Sequence, residues 1–152
     1  MHEWYRATEN HVLIACVRHP CARALSVYQH FHRSMRRANA TNDMLQIMCR
    51  AVSASEFWER FDIEAMRKHV PQVRTQYSFL EGSPMDILLR FENLSVDWRR
   101  VAAAIGRPGY PLPHKNSTER VNWREHLSDD ARRNIRRLFA VDFREYDYED
   151  DI

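Results

Sequence analysis

The most chemically suggestive spacing in the chain is Val17-Arg18-His19-Pro20-Cys21-Ala22-Arg23-Ala24-Leu25-Ser26-Val27-Tyr28. A guanidinium offers a rigid fork of N–H donors that matches the oxygens of a phosphate. A serine hydroxyl adds another donor. Proline is favoured in the first turn of a helix, so a helix is expected to begin beside Arg18, with its N–H groups and the positive end of its dipole facing the same place. One arginine, one hydroxyl and one helix start make a phosphate site, in which each charge-assisted contact is worth about 1.5–3 kcal/mol. The residues alone equally allow Arg18 to pair with a carboxylate and Ser26 to stay idle.

Three other groups carry weaker chemistry. His69-Val70-Pro71-Gln72 places an imidazole, which can exchange protons near neutral pH, beside a break in the chain. Lys115, Asn116 and Ser117 lie in a Pro-rich stretch and can close over a phosphate as a lid, with Lys115 as a point charge. Arg132, Arg133, Arg136 and Arg137 fall on one side of the last long helical pattern, beside Asp129 and Asp130. That side reads as a solvated face or, failing that, as a polyanion contact. His30 and His32 do not share a helix face, which removes them as a metal pair.

The elements that must position Arg18 follow from periodicity. The run 11–17 is short and continuously apolar, which predicts a strand buried on both faces, as in a parallel sheet, delivering Arg18 at its carboxyl end. Open α/β sheets bind their ligands at that end. Leu25, Tyr28, Phe31 or His32, and Met35 recur at helical spacing, predicting one helix over 20–38. Helices are also expected around Met44–Met48, from Ser55 through Phe61, and as a turn over 62–69 ended by Pro71. Residues 86–91 read as a second buried strand. A helix follows, with Ser95 as its cap and Gly106 at its left-handed end. After a long loop over 107–122, Ser128 caps a helix whose core face is Ala131, Ile135, Leu138 and Phe139. Strands separated by helices give an α/β fold with a parallel sheet, here reduced to two evident strands.

The 152 residues, 44% hydrophobic and 29% charged, predict one globular domain. A net charge of +2, from 23 basic and 21 acidic residues, is too balanced to imply a nucleic-acid protein. Three cysteines (Cys16, Cys21, Cys49) without CxxC spacing exclude a disulfide framework and a zinc site, and point to the reducing cytoplasm. No apolar run approaches the ~20 residues of a membrane span.

The segment 17–28 resembles the signature of sulfotransferases that use 3′-phosphoadenosine-5′-phosphosulfate, in which a strand ends in Val-Arg-x-Pro followed by x-x-Arg-x-x-Ser-x-Tyr. Three further segments are similar to that family in order. Residues 86–95 match its second strand and Phe/Tyr-Glu-x-Leu sequence. Leu112-Pro113-His114-Lys115-Asn116-Ser117-Thr118 looks like the loop of its carbohydrate-type, bacterial-like branch. Phe139-Ala140-Val141-Asp142-Phe143 with Tyr146 and Tyr148 looks like its closing motif. The resemblance implies a helix-rich, three-layer fold akin to P-loop nucleotide hydrolases. Arg18 and Ser26 would hold the 3′-phosphate, Arg23 and Tyr28 would buttress the helix, and sulfuryl would pass to a hydroxyl, on a carbohydrate, without a metal.

The chain also departs from that pattern. Family members carry an upstream Gly/Ser/Thr-rich loop for the 5′-phosphosulfate. The seventeen residues before Arg18 contain neither Gly nor Ser, so that loop is expected to be missing here, and the family's usual base also lies upstream, where the spacing of His2 is short; the expectation is a single truncated domain with His69 as the weak catalytic candidate. Two other readings follow. One is a degenerate interaction module on the same fold, pairing as a homodimer through an exposed sheet edge. The other is a small basic helical protein that binds nucleic acid through the Arg132–Arg137 face.

Overall fold

The computed structural model describes residues 12–37, 51–60, 62, 67, 70–112 and 121–148. In chain order the elements are strand β1 (Ile14–Val17), helices α1 (Pro20–Arg37) and α2 (Ala54–Arg60), a 3-10 turn (Pro71–Val73), helix α3 (Tyr77–Leu80) and strand β2 (Ile87–Arg90). There follow a 3-10 turn (Phe91–Asn93), helix α4 (Leu94–Ala104), a 3-10 turn (Trp123–Glu125) and helices α5 (Asp129–Leu138) and α6 (Ala140–Glu145). The chain divides into a sheet unit, Met1–Val17 with Leu80–His114, and a helical unit, Arg18–Phe79 with Lys115–Ile152.

In the sheet unit β1 and β2 pair in parallel, with Ile14 opposite Ile87 and Val17 opposite Arg90. This is the expected α/β arrangement with a small parallel sheet, but both strands are shorter than the apolar runs. The Leu13 N–H donates to the Asp86 carboxylate at 2.7 Å, which ties the two segments together just before the ladder. At the other end Phe91 turns into 3-10 geometry that leads straight into α4. The helix therefore begins at Leu94 rather than after Ser95, directly after the 3-10 turn, which the Leu94 N–H closes by donating to the Phe91 carbonyl. Its other end was legible in the sequence. Gly106 adopts φ +74°, its N–H donates to the Ala103 carbonyl, and the Arg107 N–H donates to that of Ala102, which is a Schellman closure. Helix α4 packs along β2 and buries Val101 and Ala102. The strands themselves are not buried on both faces as expected: Val17 and Leu89 are covered, while Ile14 is 38% and Leu88 45% exposed.

The helical unit holds the hydrophobic core. Helices α1, α2 and α5 pack against one another, with α6 against α5. Their buried faces contribute Leu25 and Phe31, Phe57 and Trp58, and Ile135 and Leu138. Trp58 meets Phe57 and Phe139 edge-on at 5.1 and 5.7 Å, and its indole N–H donates to the Ala24 carbonyl at 3.2 Å, so its polar edge is satisfied inside the core. Helix α2 starts at Ala54, one residue earlier than expected. The Ser53 hydroxyl accepts from the Glu56 N–H, and the Glu56 carboxylate reaches back to the Val52 N–H, a variant of the reciprocal capping box. Ser55 instead donates to the His126 carbonyl and accepts from the Ser128 N–H. Ser128 caps α5 as expected, accepting the Ala131 N–H at 3.1 Å.

Candidate functional site

Arg18 and His19 are the whole link between β1 and α1. Arg18 is half-buried there, and Ser26, in the second turn of α1, is half-buried too. The start of α1 is formed differently from the sequence expectation of several open N–H groups. Pro20 has none. The Cys21 N–H donates to the His19 Nδ1 at 3.2 Å, and the Arg23 N–H closes the first turn on the His19 carbonyl at 2.9 Å. His19 is thus the cap of its own helix. Its ring is held in an aromatic pile, stacked on Trp123 at 4.9 Å and edge-on to Phe143 and Tyr148 at 5.6 and 5.2 Å. The Cys21 and Arg23 N–H groups at this turn are therefore already engaged.

The backbone of Arg18 is clamped from a distant segment. Its N–H donates to the Gln76 Oε1 at 2.8 Å and its carbonyl accepts from the Gln76 Nε2 at 2.9 Å. Gln76 is in turn fixed by Asp142, which is 0% exposed. One carboxylate oxygen accepts from the Gln76 N–H at 2.8 Å and the other from the Tyr77 N–H at 2.9 Å. Burial pushes the Asp142 carboxyl above its ordinary range, while the two backbone donors and the Arg23 charge pull it back. Burial likewise lowers Arg23, and Asp142 opposes that.

Arg23 and Tyr28 are engaged in packing. The Arg23 guanidinium donates to the Gln72 carbonyl at 3.0 Å and lies over the Phe139 ring at 5.7 Å. The Tyr28 hydroxyl donates to the Ala51 carbonyl, and its ring sits against Phe57. Cys21 is buried, and desolvation pushes its thiol up to about 12, which makes it inert at neutral pH. His69, Lys115, Asn116 and Ser117 lie outside the described residues.

On α5 the N-terminal half of the basic face is compensated within the helix. Arg132 pairs with Asp129 at 2.6 Å and Arg133 pairs with Asp130. Two open grooves lie on the helical unit. One of about 480 Å³ is lined by Glu59, Asp130, Arg133, Asn134 and Arg137. The other, of about 430 Å³, is lined by Arg136, Ala140, Phe143, Arg144, Asp147 and Tyr148. Neither includes Arg18 or Ser26.

Gln76, Asp142 and the capping role of His19 were not foreseen in the sequence. Only Asp142 left a signal, an acid between Val141 and Phe143 in an apolar stretch, where a lone carboxylate implies a buried hydrogen-bond network. Compared with known proteins, the chain matches one family model, described as the sulfotransferase family, over residues 1–149. Neither the curated proteins nor the solved structures give a match.

Proposed function

This chain belongs to the sulfotransferase family, and on that premise we propose that it binds 3′-phosphoadenosine-5′-phosphosulfate, or its product, through the turn at Arg18. The Arg18 guanidinium and the Ser26 hydroxyl receive the 3′-phosphate. The observation that supports this reading is the anchoring of Arg18 between strand and helix, with its backbone held at both polar groups by Gln76. A pinned arginine loses less freedom when it meets an anion than one on a mobile loop.

The reaction is transfer of sulfuryl to a hydroxyl, on a carbohydrate. The acceptor oxygen forms a bond to sulfur, and the sulfur–oxygen bond to the 5′-phosphate breaks. The electron pair leaves with adenosine 3′,5′-bisphosphate, and a base takes the hydroxyl proton. His69 is the residue proposed for that proton, and Lys115, Asn116 and Ser117 for a lid over the nucleotide. The contacts assigned to Arg18 and Ser26 concern the 3′-phosphate half of the cosubstrate. A reducing, cytoplasmic setting suits the unoxidised Cys16 and Cys21, and no helix among the described residues is long and apolar enough to cross a membrane.

A two-dimensional NMR titration of the labelled chain with adenosine 3′,5′-bisphosphate tests the placement. Shifts concentrated at residues 18–26 are expected. Shifts confined to the arginines of α5 would transfer the anion site to that face and refute the assignment.

A second reading has its own observation. Val12, Ile14, Leu88, Phe91, Val96 and Ile105 of the sheet unit are all exposed. An interaction module that dimerises through this sheet would cover them. Sedimentation at rising concentration should then show a dimer that Leu88→Asp dissociates, and a clean monomer throughout would end that reading.

A further inference from the structure

We propose that Gln76 and Asp142 are positioning residues for anion recognition, a two-step relay that sets the direction from which Arg18 presents its guanidinium. This rests on the assignment of Arg18 to the 3′-phosphate.

The geometry is that of a borrowed strand. After Val17 the chain leaves the ladder, and after His19 it enters α1, so the polar groups of Arg18 belong to neither element. Buried backbone groups in that position need partners. Gln76 supplies both, giving its amide oxygen to the Arg18 N–H and its amide NH₂ to the Arg18 carbonyl. Two opposed contacts fix the peptide planes on both sides of the Arg18 Cα. The Cα–Cβ vector, which aims the guanidinium, is then no longer adjustable by backbone rotation.

Gln76 can hold this pose only because its own main chain is held. Asp142 binds two successive N–H groups, of Gln76 and Tyr77, one with each carboxylate oxygen. Asp142 is fully buried and Gln76 is 9% exposed, so water does not compete with this bonding. Arg23 faces the same carboxylate and donates to the Gln72 carbonyl, four residues before Gln76. The partners stand 58 and 66 residues apart in sequence, yet converge on one turn. The amide of Gln76 thus meets both the donor and the acceptor of a single residue, and that residue is the one assigned to the anion.

The test compares two nucleotides that differ in the 3′-phosphate. Affinities of the full chain for adenosine 3′,5′-bisphosphate and adenosine 5′-monophosphate are measured for wild type, Arg18→Ala, Gln76→Met and Gln76→Glu. Gln76→Met keeps the volume and removes both contacts. Gln76→Glu keeps an acceptor for the Arg18 N–H and sets an oxygen against the Arg18 carbonyl. Either variant should lower the preference for the bisphosphate about 10-fold, as misaimed recognition groups do, and leave the monophosphate within about twofold. In an Arg18→Ala background the same substitutions should cost no further affinity, since the relay acts through that side chain.

A wild type without preference for the bisphosphate, or an Arg18→Ala that retains it, would overturn the site assignment and the relay with it. An Arg18→Ala that loses the preference, beside folded Gln76 variants that retain it, would overturn the relay alone. Should both Gln76 variants fail to fold, hydrogen exchange in the wild type decides. The Arg18 amide is expected to be protected and to gain protection with the bisphosphate but not with the monophosphate, and an equal response to both nucleotides would refute the positioning role.

Discussion

In the helical unit Phe57, Trp58 and Ile135 are each 0% exposed, whereas in the sheet unit Ile14, Leu88, Val96 and Ile105 range from 38% to 47%. Both units draw on similar residue types, so composition does not separate them. The difference lies in geometry. Three amphipathic helices can turn their apolar stripes toward a common axis and close a core among themselves. Among the described residues, two strands with one helix along them leave apolar surface exposed, because a parallel sheet requires cover on both faces. The helical unit therefore holds the buried network of Gln76 and Asp142 away from water, and the sheet unit leaves several large apolar side chains exposed.

The sharpest way to break this contrast is to remove one large side chain from each unit. Trp58→Ala should cost about 3–5 kcal/mol, because it empties a closed core and leaves the Ala24 carbonyl without its donor. Leu88→Ala, at a half-exposed position, should cost under about 1 kcal/mol. Urea melts of the two variants check both values, and equal losses would mean that the sheet is as well covered as the helices.

Thiol reactivity sharpens the same contrast. Cys16 on β1 is exposed and Cys21 on α1 is buried. With its pKa raised from 9.0 to about 12, Cys21 should carry about a thousandfold less thiolate at neutral pH. In a Cys49→Ala background one thiol should therefore react promptly with an alkylating reagent and the second only on unfolding. Two thiols of equal rate would contradict the packing at the start of α1.

A smaller effect, about 1–3 kcal/mol, is expected for Asp142→Asn, which gives one of two backbone donors an amide NH₂ in place of an acceptor. Its pH dependence carries a sign. Burial raises the folded pKa of Asp142 above the ordinary 3.8, so the native state binds the proton more readily than the unfolded chain. The contribution of Asp142 titration to stability is then fully present below 3.8 and is lost as pH rises through the folded value. The margin of wild type over Asp142→Asn should shrink over that window. A margin that grows with pH would mean that the two N–H donors and Arg23 outweigh desolvation.

Much of this architecture was legible in the residues because it is local. Pro20 marks the first residue of α1, Ser128 caps α5 three residues from the N–H it accepts, and Gly106 takes the one left-handed position at the end of α4. Exact helix starts are less legible. Ser55 reads as the first residue of α2, yet the helix begins at Ala54, because Glu56 lies three residues after Ser53 and completes a reciprocal cap with it. At the site, Arg18 and Ser26 stand out by spacing, but Gln76 does not. Its role arises only when a segment 58 residues away is folded against the Arg18 turn, and nothing in the stretch Arg74–Tyr77 marks a glutamine that must bond both ways. The expectation of open helix N–H groups failed for a related reason, since the cap is the imidazole of His19, whose orientation depends on Trp123, Phe143 and Tyr148 far along the chain.

Calorimetric titration of the chain with adenosine 3′,5′-bisphosphate, beside Arg18→Ala, decides whether the proposed 3′-phosphate site lies at Arg18. Saturable binding that the substitution weakens by about 10-fold or more, the worth of a charge-assisted contact, is expected. Binding of equal strength in the two proteins, or none to the folded wild type, would overturn that assignment.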